Sequence, residues 1–202
     1  MRGFWDFRGG FTSMAIVLIP ITIAINTGLH FITVALNLPI YLDTIGTILA
    51  AILAGPWVAA VVGLLTNVVI GLVTTPTAIP YGLTNAAIGI TAGALVYFGL
   101  YRHIWGAAVA GLVLPLVGAT ISAPITVVVF GGASGTGSDA VTAFFLATGD
   151  TLVGAVLKAG FLVALIDKMI SSIFAYLVAK NIPSTYMAKF PGVTRDRKPA
   201  VA

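Results

Sequence analysis

The chain has no cysteine, which excludes both a disulfide framework and a thiolate-ligated metal centre. It has no glutamate either, and its two histidines, His30 and His103, are too few and too far apart to argue for a metal site. Charge of either sign is scarce: 8% of residues are charged against 59% hydrophobic, and none is charged between Asp43 and Arg102. So little charge over this length excludes a soluble domain and marks an integral membrane protein. The net charge of +4 does not indicate nucleic-acid binding. The basic residues gather at the ends and in one short loop, where the positive-inside rule would put them. Also missing are a P-loop, a glycine-rich phosphate motif and a nucleophile–base pair. The chain is therefore expected to hydrolyse no ATP, to be no enzyme, and to need no cofactor.

What is present is a series of long apolar runs, which predict an all-α integral membrane bundle of six transmembrane helices. Residues 1–10 form an amphipathic head, with Phe4, Trp5 and Phe7 beside Arg2 and Arg8. The run from Phe11 to Leu36 exceeds a signal-peptide apolar region and predicts a retained first helix. Pro20 should bend it, with Thr22 relieving the freed carbonyl. Further helices are expected at about 44–54, 56–73, 81–101, 105–130 and from Asp150, the last continuing past Asp167-Lys168 as an amphipathic tail to about Asn181. Tyr97 and Tyr101 would close the fourth as an interfacial belt, and Pro183 stops the sixth. Pro115 and Pro124 interrupt the fifth, where Thr120, Ser122 and Thr126 can satisfy the backbone groups they free. Loop 131–150 is Gly/Ser-rich at first and then reads as a short interfacial helix. Residues 1–182 thus form the membrane domain and 183–202 a basic tail. With both termini cytoplasmic, Arg2, Arg8, Arg102 and the basic tail lie inside, and Asp43, Asp139 and Asp150 lie outside.

The most informative stretch is Leu38–Gly71, LPIYLDTIGTILAAILAGPWVAAVVGLLTNVVIG. Pro39 imposes an extended entry. Asp43 or Thr44 can cap the helix that follows. Gly55-Pro56 suits a helix stop followed at once by a helix start. Gly46, Ala50 and Ala54 recur every four residues and give one face on which another helix can approach closely, in this chain or in a partner. Asn67 needs a polar partner in lipid surroundings and should face the bundle or a cavity.

Depth along each helix puts the polar residues in the outer half of the bundle, at about 1.5 Å of rise per residue. Asn26 and His30 lie four apart on the first helix, Asn67 on the third, and Tyr81, Thr84 and Asn85 at the start of the fourth. Lys158 stands eight positions after Asp150 on the sixth. An ionisable group inside a membrane helix is a candidate functional site. Lys158 is read either as a ligand contact, its ammonium meeting an anionic or carbonyl group, or as the partner of Asp150. Asp150 is either a helix cap or a ligand contact. His30 is either a packing residue or a ligand contact.

The segments LPIYLDTIGTILAAILAGPW and GLLTNVVIG resemble the second and third helices of S components, the substrate-binding membrane subunits of energy-coupling-factor (ECF) transporters. The resemblance implies an S-component-like bundle in a prokaryotic cell membrane that binds a vitamin or related small molecule near the outer face. It also implies as partners a transmembrane coupling subunit and two ATPase subunits that drive uptake. On this chain the implied binding regions hold Asn37, Tyr41, Asp43, Thr77, Tyr81, Thr84, Asn85, Asp150 and Lys158. The family's Ala-x-x-x-Ala pair for docking is matched on the first helix only by Ala24 and Gly28, with Gly46, Ala50 and Ala54 as the other candidate contact. A membrane sensor that binds a small molecule without transporting it is the alternative function. An integral-membrane enzyme is disfavoured by the lack of an acid–base cluster.

Overall fold

The computed structural model describes residues 10–190. The expected amphipathic head and most of the basic tail lie outside the described residues. The helices are α1 (Ser13–Ala35), α2 (Ile45–Ala54), α3 (Pro56–Val73), α4 (Gly82–Tyr97), α5 (Ile104–Phe130), α6 (Ser138–Ala147), α7 (Leu152–Lys180) and a single turn, α8 (Ser184–Met187). There is no strand among the described residues. Five helices, α1, α3, α4 with the 3₁₀ turn before it, α5 and α7, are long and apolar enough to cross a membrane. Their outward faces are apolar, as at Ile16, Val17, Leu72, Leu83, Leu116 and Val128. The chain is a membrane-embedded helical protein. α2 has only ten residues, roughly 15 Å of helix, half the thickness of the hydrocarbon core.

Turn chemistry set the boundaries as expected. Gly55 adopts φ +94°, closed to most side chains, and Pro56 opens α3 in the first turn. Asn37 sits at φ +51°, a left-handed turn that asparagine tolerates, and stops α1. Other expected devices differ. Thr22 bonds the Leu18 and Ile19 carbonyls at 2.9 and 3.0 Å, not the Ile16 carbonyl that Pro20 leaves without its helical donor. Thr44 is at the N-cap of α2 but its hydroxyl caps nothing. Thr151, not Asp150, caps α7 by accepting from the Gly154 N–H. The fourth helix ends at Tyr97, and Tyr101 is buried rather than interfacial. Tyr101 donates to Ser172 Oγ at 2.7 Å, which in turn donates to the Ala107 carbonyl. Residues 183–190 are not a free tail, because Met187 is buried and Phe190 packs against the core.

All ten residues of α2 are buried. It is the central element, wrapped by α1, α3, α4 and α7. The small residues of α2 serve this internal packing: a Cβ on Gly46 would collide with the Thr22 carbonyl and Asn26 Oδ1, and Ala50 and Ala54 are fully enclosed. The expectation that Gly46, Ala50 and Ala54 form an outward docking face is therefore corrected. Ala24 and Gly28 do lie exposed on α1, with open space beside Gly28.

The two ends of the bundle differ. The end carrying Gly55, Tyr101 and Met187 is a dry core of Ala15, Leu18, Val58, Ala107, Ala175 and their neighbours. The other end, carrying Pro39, Pro80 and Ser134, is polar and hollow.

Candidate functional site

Between these ends runs a buried polar spine. Asn26 Oδ1 accepts from the Gly46 N–H at 2.6 Å, and its Nδ2 donates to Thr47 and Thr66, both at 3.0 Å. Thr47 donates to Asn85 Oδ1 at 3.2 Å. Asn85 Nδ2 donates to Asn67 Oδ1 at 2.9 Å and to the Asp43 carbonyl at 3.3 Å. Asn67 Nδ2 donates to the Ala78 carbonyl at 3.2 Å. Four helices are thus held by side chains whose polar groups satisfy one another, the condition for burying them in lipid.

The second buried polar group is ionic. Asp167 and Lys168 lie on α7, 0% and 4% exposed. The Lys168 ammonium bonds Asp167 Oδ2 and stands 3.6 Å from Asp43 Oδ1. Asp167 Oδ1 accepts the backbone N–H groups of Tyr41 and Leu42 at 3.1 and 2.7 Å. The extended segment 38–43, which has no helical partners for these groups, is satisfied by α7 instead.

Next to the ionic group and the spine lies a partly open cavity of about 120 Å³, counted as room for the centres of water molecules. Its floor is His30, Tyr41, Asp43, Thr44, Asn85 and Lys168. Ile70, Ile88, Gly118, Val156, Gly160 and Ala164 form the apolar walls. Ser122 and Thr126 add hydroxyls, and Thr126 meets the Tyr81 hydroxyl at 2.7 Å while the Tyr81 ring stacks on Phe130 at 5.8 Å. The roof is the loop before α6 and α6 itself, through Ser134, Thr136, Ser138 and Thr142. Gly131, Gly132 and Gly135 take positive φ in that loop. Asp139 orders it from within by accepting from Ser134 N and Oγ and from Gly135 N. At Gly137 the loop rests so closely on Pro39 that a Cβ would come within 2.9 Å of its Cα.

Three residues that line this cavity carry a buried polar atom with no protein partner: His30 Nδ1, Thr44 Oγ1 and Thr84 Oγ1. Thr44 and Thr84 are 1% and 8% exposed. Buried hydroxyls without partners are costly. By contrast, both N–H donations and the carbonyl of Asn85 are engaged by protein groups. No family model, curated protein or solved structure matches the chain.

Of the residues expected at the site, the fold brings His30, Tyr41, Asp43, Asn67, Tyr81, Thr84 and Asn85 to the cavity. Asn37 is exposed on the helix-stopping turn and does not line it. Asp150 and Lys158 do not line it either: Lys158 pairs with Asp150 at 2.7 Å, with its side chain 55% exposed, and lies over the Phe145 ring. The physical reason is the direction of helical side chains. Cα–Cβ bonds tilt toward the helix N-terminus, so a long side chain eight positions into the run reaches back to its start. Sequence reading missed Lys168 as a site residue. Its signal was there, since the apolar run MISSIFAYLVA follows it and places Asp167-Lys168 near the middle of a 29-residue helix, too deep for an amphipathic tail.

Proposed function

We propose that this chain is the substrate-binding membrane subunit of an ECF-type importer, holding a small vitamin-like molecule in the cavity beneath the loop before α6. The observation that carries the reading is a cavity lined by His30, Thr44 and Thr84, each with a buried polar atom that lacks a protein partner. A structural void would be lined by apolar groups or by polar groups already satisfied. The resemblance of Leu38–Gly71 to S components adds the rest of the proposal. α2 and its extended lead-in complete a sixth crossing, both termini are cytoplasmic, and the roofed end faces outward. The chain itself performs no chemistry, and a coupling subunit with two ATPase subunits supplies the energy. The host membrane is a prokaryotic plasma membrane. Ala24 and Gly28, open on α1, are the docking contacts that the fold leaves accessible.

Native mass spectrometry of the purified protein tests the binding role. Gly118 lines the cavity, and a Cβ there would make only ordinary contact with Ile88 at 3.6 Å. Gly118→Leu should therefore fill the cavity without breaking helix packing. The wild type should carry a small molecule of constant mass that Gly118→Leu lacks. Identical spectra for the two proteins would remove the cavity as the binding site.

A further inference from the structure

Lys168 is one ammonium between two carboxylates, and the shares are unequal. Its direct bond goes to Asp167, which also receives two backbone N–H groups and is not part of the cavity lining. Asp43 lines the cavity and makes the looser ion pair, 3.6 Å from the same ammonium. The other titratable groups on the cavity wall are His30, Tyr41 and Tyr81, from α1, the extended segment and the 3₁₀ turn. None of these is a permanent cation, and among the described residues no Arg or second Lys lines the cavity. Two carboxylates thus share one ammonium beside the cavity, where an uncompensated charge is expensive.

We infer that the guest molecule is a compact organic cation, a protonated amine or protonated nitrogen heterocycle about one ring in size, whose charged N–H donates to the Asp43 carboxylate. This rests on the cavity being the binding site and names the class of its ligand. Three observations converge on it. Asp43 is the cavity's less tightly paired carboxylate. Thr44 and Thr84, which also line the cavity, carry hydroxyls without protein partners, and a small shift of either side chain would let it meet the remaining polar groups of such a molecule. The opposite walls, Ile70, Ile88, Val156 and Ala164, are apolar and accept a ring body. An anionic guest would meet Asp43 at close range, and the sole lysine near it is already committed to Asp167.

The test uses three probes of nearly equal shape, benzylamine, benzyl alcohol and benzoate, at pH 7 with the full-length protein in detergent micelles. Binding is read by saturation-transfer NMR, with Gly118→Leu as the filled-cavity control. The proposal expects benzylamine to bind about tenfold or more tightly than benzyl alcohol, the gain typical of a charge-assisted hydrogen bond. It expects benzoate to bind weakest. In Asp43→Asn the amine and alcohol should bind alike, and Asp43→Glu should restore part of the preference. Because the wild-type ranking decides by itself, a failure of Asp43→Asn to fold does not blunt the test. Equal binding of amine and alcohol, or a preference for benzoate, overturns the cationic ligand while leaving the cavity as a binding site. Binding of all three probes that survives Gly118→Leu overturns both.

Discussion

The Leu42 backbone N–H donates to Asp167 Oδ1 at 2.7 Å, tying the extended segment before α2 to the middle of α7. The same carboxylate holds Lys168, so one buried side chain fixes both the chain entry and the cation beneath the cavity. Removing it should be severe. Asp167→Ala orphans two backbone N–H groups and leaves Lys168 with only its distant partner Asp43. Loss of one member of a buried ion pair costs about 3–5 kcal/mol. Asp167→Asn keeps an acceptor for the N–H groups and should cost less. Unfolding of both variants in mixed micelles checks the order. Equal stability of wild type and Asp167→Ala would show that the carboxylate is not structural.

The polar spine makes a second prediction. Asn26→Leu leaves the Gly46 N–H without its acceptor and the Thr47 and Thr66 hydroxyls without their donor. Each orphaned group costs about 1–3 kcal/mol, so the variant should lose several kcal/mol or fail to accumulate. Gly46→Ala attacks the same point by overpacking, and should cost about 1–3 kcal/mol or more. If Gly46→Ala matches the wild type in thermal stability, α1 and α2 are not in close contact.

These two clusters show what sequence could and could not reveal. Helix boundaries were legible because Pro39, Gly55-Pro56 and Pro183 act locally, through backbone conformations that neighbouring residues alone decide. Asn67 and Asn85 were legible as inward-facing because an amide in lipid has no other place to go. Which partners they find was not legible, since Asn26 meets Thr66 across 40 positions of sequence. The direction of Lys158 depended on rotamer and helix polarity rather than depth. Lys168 was overlooked because hydropathy placed the pair Asp167-Lys168 at a helix end, whereas the apolar run after it continues the span.

The roof should be mobile on removal of its latch. Asp139 gathers three donors from Ser134 and Gly135, more than any other side chain of this glycine-rich loop. Asp139→Ala should raise hydrogen–deuterium exchange across residues 131–137 and leave that of α2 unchanged. Unaltered exchange in the loop would mean that contact with Pro39, not Asp139, holds the roof.

Lys158 supplies the sharpest contrast with expectation. As an isolated cation within the span it would be a ligand contact, and its loss would cost affinity. As the half-exposed partner of Asp150, set apart from the cavity lining, it should matter little. Exposed pairs contribute about 0–1 kcal/mol, reduced further by salt. Lys158→Met should therefore shift thermal stability by no more than that. Asp150→Asn should behave alike, and the double variant should add nothing beyond the singles, because the pair is then already broken. Probe binding should be unchanged in all three. The comparison is decisive because Lys168→Met, one helix stretch further on, removes the cation between Asp43 and Asp167 and should lower stability strongly. A loss of benzylamine binding in Lys158→Met at wild-type stability would return Lys158 to the site and move the ligand toward Asp150, above the roof rather than below it.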